Sequence, residues 1–307
     1  MRQERSAWLH RLAVLTAGAT FLLIVVGALV VGHGAGLSVP DWPLSYGMLM
    51  PPMEGGVLYE HGHRLIAALV GVLMTLLAGW LWWAEPRRWL RWLGVAALLA
   101  VIAQAVLGGI TVLYLLPIPV LVGHAALAQL FFCMTLSLAL VTSPAWDSRP
   151  EAAGKDLGSP EFRYLSTATT VAIFVQLILG AARRHRALSL VPHLVWAGVV
   201  SVMVLRMVYL GLNKLPATQK LLRDLSLMAG LLLAMQLALG FGSYWLLLVV
   251  QGAPQSVFAV IWTTTAHVSG GALLLGDSLL LTLLAYRKLA APGKALSFSQ
   301  SPQKIVA

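Results

Sequence analysis

Residues 93–114 read LGVAALLAVIAQAVLGGITVLY, 22 residues without a charged side chain. At about 1.5 Å of rise per residue, a helix of that length crosses a hydrocarbon core of roughly 30 Å. The stretch therefore predicts a transmembrane helix, and seven more like it follow from the rest of the chain. The eight run Leu12–Val31, Leu65–Trp83, Leu93–Tyr114, Pro119–Val141, Leu165–Ala182, Val191–Tyr209, Leu225–Val250 and Val257–Tyr286. A composition of 59% hydrophobic and 10% charged residues over 307, with a mean hydropathy of +0.83, excludes an ordinary soluble domain. The first stretch follows Arg2, Arg5 and Arg11 but is long and has no small-residue cleavage site, so it reads as a retained helix.

The net charge of +10 follows the membrane and not a nucleic acid. With the N-terminus placed in the cytoplasm, 17 of the 21 Lys and Arg residues fall on the inner side, the positive-inside pattern. Both termini are then cytoplasmic in a multi-pass protein of the cell membrane. Arg64, Arg183, Arg184 and Arg186 remain outside, and three of these crowd one short loop, where an anionic group would be at home. Cys133 is the only cysteine and lies within the fourth stretch, which excludes an intrachain disulfide and a cysteine-ligated cluster.

Within the opening stretch, Gln104-x-x-Leu107-Gly108 is the first of three copies of one pattern. The others are Gln176 to Gly180 and Gln236 to Gly240, on helices three, five and seven. The polar segment Ser143 to Glu161 divides the chain. The organisation read from this is an N-terminal four-helix half (1–142), a cytoplasmic linker (143–164), a C-terminal four-helix half (165–290) and a cytoplasmic tail (291–307). The fold class is an all-α integral membrane protein, its eight helices forming two pseudo-symmetric four-helix bundles related as parallel repeats. The glycines of the pattern suit close helix packing. The glutamines, costly in lipid, should face the bundle interior.

Four histidines carry the chemistry. His63, His124, His193 and His267 fall in the outer part of helices two, four, six and eight, and the four-helix shift carries the first pair onto the second. Neutral imidazoles presented inward from facing helices suit axial ligation of haem iron, so two bis-histidine sites are expected toward the outer face. His10, His33, His61 and His185 lie at interfaces or in loops, with His61 and His185 near enough to a site to tune it. Glu60 lies three residues before His63 on the same helical face. It reads either as a proton-moving acid or as an N-cap-region acid that pairs with Arg64, and no acid occupies the matching place before His193. Arg183, Arg184 and Arg186, with Arg64, suit haem propionates or lipid headgroups. Asp277, ten residues beyond His267, is a functional candidate as an intramembrane acid, read here as protonated or paired near the inner boundary with Arg287 or Lys288.

Glu60-x-x-His63-Arg64, the segment Gly36-Leu37-x-x-Pro40-Asp41-Trp42-Pro43-Leu44, Gln104-x-x-Leu107-Gly108-Gly109-x-Thr111-Val112 and the four spaced histidines together resemble the haem A synthase family. The resemblance implies an oxidoreductase of the cell membrane that converts the C8 methyl group of haem O to a formyl group through a hydroxylated intermediate, for haem-copper oxidase biogenesis. It implies that His63 and His124 flank the substrate haem O, that Glu60 is catalytic, and that His193 and His267 ligate a resident haem b iron. Implied partners are haem O synthase, cytochrome oxidase assembly factors and a second copy of the chain. Ser38 and Ser45 stand where many family members carry a cysteine pair, so a thiol redox role for that loop is unsupported. Two other classes compete: a diheme transmembrane electron carrier, disfavoured by histidines clustered toward one face, and a non-catalytic haem chaperone or transporter.

Overall fold

The computed structural model describes residues 2–147, 154–155, 161–249 and 257–290. Eight long helices make up nearly all of it: α1 Arg2–Gly32, α2 Gly55–Ala84, α3 Arg88–Leu113, α4 Ile118–Val141, α5 Phe162–Arg184, α6 Leu190–Asn213, α7 Lys220–Val249 and α8 Val257–Lys288. All eight contain a window long and apolar enough to cross a membrane. Helices suit that setting because each satisfies its own backbone groups where water cannot. Buried hydroxyls follow the same logic: Thr16, Thr20 and Thr169 donate to the carbonyl one turn earlier in their own helices.

The helices close into two rings. In the first, α1 packs on α2, α2 on α3, α3 on α4 and α4 back on α1; in the second, α5 to α8 pack in the same cyclic order. Between the rings α1 meets α8, α4 meets α5, and α4 meets α8. This is consistent with a two-fold relation between halves, which exchanges the first two contacts and maps the third onto itself. Each ring has its own apolar core. Met74, Leu77, Leu81 and Leu138 are fully buried in the first, and Phe162, Met207, Leu222 and Leu275 in the second. Opposite faces of the helices expose Leu69, Val72, Leu99, Val202 and Leu231, as helices facing hydrocarbon must.

Helix α8 is the exception. Two thirds of its most apolar window is buried, against one third or less in the others. Its small residues explain the access: Gly271 faces Leu177 of α5, Gly276 faces Leu136 and Phe132 of α4, and Ser278 bonds Thr170 of α5 at 2.8 Å.

Helix α2 begins ten residues earlier than hydropathy placed it. The turns from Gly55 to Arg64 carry polar residues that a hydropathy window discounts, yet a folded loop covers them. Glu54 is the N-cap, so Glu60 sits in the second turn and not at the cap. Of the linker, the described parts are Ser143, a helical turn Pro144–Asp147, a two-residue pairing of Gly154–Lys155 with Leu289–Ala290, and the approach to α5. The expected tail, 291–307, lies outside the described residues.

Candidate functional site

Even-numbered helices all start at one end of the bundle. His63 lies eight residues after the first residue of α2, His124 six after that of α4, His193 three after that of α6 and His267 ten after that of α8. The four therefore occupy one layer near that end, about 15 Å deep at most. The rings associate in the expected pairs. His193 and His267 have ring centroids 6.3 Å apart at an interplanar angle of 79°, and His63 interacts electrostatically with His124.

Each ring rests on a glycine of the preceding helix. A methyl group built on Gly27 would stand 3.1 Å from Cε1 of His63, and one on Gly180 would stand 3.2 Å from Cε1 of His193. The corresponding distances are 3.2 Å from Gly240 to His267 and 3.7 Å from Gly108 to His124. The same atom of the imidazole meets the same position four times. Three modules share a polar tie as well: the side-chain amides of Gln104, Gln176 and Gln236 donate to the backbone carbonyls of His124 (2.9 Å), His193 (3.1 Å) and His267 (3.0 Å). The motif thus has a local meaning. Its glycine seats the next helix's histidine, and its glutamine, four residues earlier, fixes that helix's height. Gly27 is the cradle that sequence reading missed, because Leu23 takes the glutamine's place and hides the fourth copy.

Nδ1 atoms of His63, His124 and His267 are buried and lack a hydrogen-bond partner among the described residues, while Gln176 reaches Nδ1 of His193 at 3.2 Å. No cluster of three or more His, Cys, Asp or Glu side chains able to hold a bare metal ion occurs among the described residues. Imidazoles arriving in twos match a metal that already has its equatorial ligands, as haem iron does. A metal–imidazole bond takes about 2 Å, so 6.3 Å between centroids leaves room for one atom between the rings. The donor set fits such a group.

The first pair lies beneath a 22-residue loop, residues 33–54, whereas residues 185–189 link α5 to α6 in the second half. The loop is pinned to α2. Glu60, 4% exposed, accepts from the Val39 N–H at 2.8 Å through Oε2 and from Arg64 at 2.8 Å through Oε1. Arg64 Nη1 donates to the carbonyls of Asp41 and Leu44, each at 2.8 Å. Both groups are thus engaged with the loop, and this ion pair is the one that sequence spacing predicted. Ser45 bonds His61 Nδ1 at 2.8 Å, and the Ser38 carbonyl accepts from Tyr46 at 2.6 Å. Trp42 closes over Gly109, where an added methyl group would come within 2.8 Å of the indole. Gly109 adjoins the Gly108 that seats His124, so the loop reaches the turn of α3 that carries this seat. The backbone N–H of Gly47 above all, with those of Tyr46 and Asp41 and the Arg64 charge, holds the Asp41 carboxyl below the usual carboxylate range against the opposing effect of burial.

The arginine-rich loop lies between the halves. Arg183 lies within electrostatic range of His193, Arg184 of His267 and His185 of His124. Arg184 also donates to the Ala28 carbonyl of α1 at 3.0 Å. Burial first, then Arg184, keeps His185 below the ordinary imidazole range and hence neutral near pH 7. Arg183 and Arg186 are exposed at this end. Asp277 is buried, and its Oδ2 has no hydrogen-bond partner among the described residues. Arg287 does not meet it, donating instead to the Trp146 carbonyl at 3.0 Å. Ten residues of helix, about 15 Å, separate the two.

Fold and site define a class: an eight-helix membrane protein with paired, glycine-seated histidines at one end. Residues 55–192 match the family model described as cytochrome oxidase assembly protein. Among curated relatives, the chain is 30% identical to heme A synthase of Shouchella clausii over 58% of this chain and 59% of that protein. It is 27% identical to heme A synthase of Bacillus licheniformis over 59% and 60%, and 32% identical to that of Ruegeria pomeroyi over 44% and 38%. Across these matched residues the chain is similar to heme A synthases. The match spans about three fifths of the length of the first two relatives.

Proposed function

We propose that the chain is a haem A synthase, an oxidoreductase that takes the C8 methyl group of haem O to a formyl group through a hydroxylated carbon. The observation that carries this reading is the unequal dressing of two like histidine pairs. Both have glycine seats and arginines nearby, but among the described residues only the first has an acid, Glu60, and a folded loop pinned at its mouth. A resident cofactor needs only to be held, while a substrate must be enclosed, turned over and released.

On this reading His63 and His124 flank the substrate haem O, and His193 and His267 would ligate a resident haem b, which supplies one-electron transfer when bound. Converting a methyl to a formyl group adds one oxygen atom; with water as its source, four electrons and four protons leave, so an external acceptor must take the electrons. Glu60 is the nearest candidate for moving the accompanying protons, once its bonds to Val39 and Arg64 rearrange. Arg183 and Arg186 are exposed at the outer end, where they can meet propionates, whereas Arg64 and Arg184 have bonds within the protein to exchange. The positive-inside distribution supports cytoplasmic termini and sites facing outward in a cell membrane. Haem O synthase and oxidase assembly factors are the partners that this function calls for.

Co-expression with a haem O synthase, followed by mass analysis of extracted haems, tests the reaction. Haem A or its hydroxylated precursor is expected from the native chain. Glu60→Gln should keep the resident haem and lose the formyl product. Unchanged haem O alone would sink the enzyme and leave a haem-binding protein. That all four histidines lie at one end argues against a carrier spanning the membrane.

A further inference from the structure

Four helix pairs repeat one arrangement, and one of the four departs from it. In α3–α4, α5–α6 and α7–α8 a glutamine four residues before the seating glycine donates to the carbonyl of the very histidine whose ring that glycine receives. In α1–α2 the glycine is present: a methyl group built on Gly27 would stand 3.1 Å from Cε1 of His63, as close as those built on Gly180 and Gly240 would stand to theirs. The residue four before it is Leu23, partly buried against the apolar core of the first ring. A leucine there keeps the packing and removes the donor.

An amide hydrogen bond between helices resists sliding and rotation of one against the other, because in lipid the broken donor finds no water. Among the described residues no side-chain hydrogen bond joins α1 to α2 at the level of His63, and one turn further out His33 stacks on Tyr59 with ring centroids 3.7 Å apart. The outer turn of α2 is instead tied to the loop, through Glu60 with Val39 and Arg64 with Asp41 and Leu44. Those bonds run to a loop and not to a neighbouring helix, so a displacement of residues 39–44 releases them together. His63 thus has a permanent seat and a releasable fastening, whereas His124, His193 and His267 have permanent ones.

We propose that His63 is the exchangeable ligand of the first histidine pair and that the α1–α2 seam beside Leu23 is the route by which a haem enters and leaves. The inference rests on the reading that His63 and His124 hold a haem, and makes Leu23 a positioning residue acting through His63.

Haem release from the purified, haem-loaded chain to an excess of apomyoglobin tests it. Two phases are expected, the faster one absent from His63→Ala. Leu23→Gln supplies the missing donor and should slow the fast phase about threefold, the size of one interhelical hydrogen bond in a membrane, leaving the slow phase alone. A second measurement needs no haem and no variant. In nanodiscs, backbone hydrogen exchange in the turn after His63 should outpace that after His124, His193 and His267. Equal exchange in all four turns, or a fast phase that Leu23→Gln leaves unchanged, overturns the proposal. Retention of both phases in His63→Ala would instead refute the ligand assignment beneath it.

Discussion

Adding one methyl group at each glycine seat separates a ligand cradle from ordinary helix packing. At Gly240 the new carbon would stand 3.2 Å from Cε1 of His267, with Nδ1 at 3.7 Å and Nε2 at 3.8 Å. Carbon atoms pack best at about 3.5–4.0 Å, so the ring must retreat by a few tenths of an ångström. Metal–ligand distances tolerate roughly ±0.2 Å, so this retreat exceeds what an axial bond absorbs. The low end of the overpacking range, about 1 kcal/mol, corresponds to roughly fivefold weaker haem retention. At Gly108 the same methyl group lies 3.7 Å from His124, an ordinary contact, and should cost nothing measurable. Alanine raises helix propensity equally at both positions, so the comparison isolates the seat. The assay is haem per chain from pyridine haemochrome spectra of detergent-purified Gly240→Ala, Gly180→Ala and Gly108→Ala. Equal loss in Gly108→Ala and Gly240→Ala, or wild-type retention in all three, would refute the cradle.

Gln236→Leu removes the tie between α7 and the His267 carbonyl and should lower stability by about 0.6–1.7 kcal/mol, read as reduced thermal stability in detergent with faster loss of the resident haem. Ser45→Ala leaves Nδ1 of His61 without its partner and should cost about 1 kcal/mol, seen as faster proteolysis within residues 39–50. For Asp41 the folded-state pKa lies below the unfolded one, so its support of the loop is complete above about pH 4 and fades as the pH falls through the folded value. Protection of the Tyr46 and Gly47 amides, corrected for intrinsic exchange, should be level from pH 7 to 5 and fall below about 4.

Hydropathy found all eight helices because a bilayer imposes one length and one composition on each. It misjudged the start of α2 because Glu60, His61, His63 and Arg64 are polar residues covered by protein and not by lipid. The four histidines stood out because each falls in the outer part of an even-numbered helix, with similar offsets of 130 residues from His63 to His193 and 143 from His124 to His267. The role of the Gln-x-x-Leu-Gly copies was not legible, as glycine in a membrane helix packs against neighbours of any kind, and only coordinates show a histidine ring there. Gly27 was hidden by Leu23. The pairing of Glu60 with Arg64 followed from their four-residue spacing. That the pair fastens residues 39–44 could not be read, because it depends on how a 22-residue loop folds back. Arg184 was assigned to an anion on charge alone, while its bond to the Ala28 carbonyl joins helices far apart in sequence.

The contacts between rings, α1 with α8 and α4 with α5 around a central α4 with α8, use the same surface twice, in the manner of an isologous dimer. A lone four-helix unit bearing that surface could meet a second copy only by collision, so its two sites would part on dilution. Joined in one chain, the units face each other at the effective concentration that a short tether sets, on the order of millimolar. Neither scarcity of the protein nor crowding of the membrane by other species then changes how often one histidine pair has the other for a neighbour.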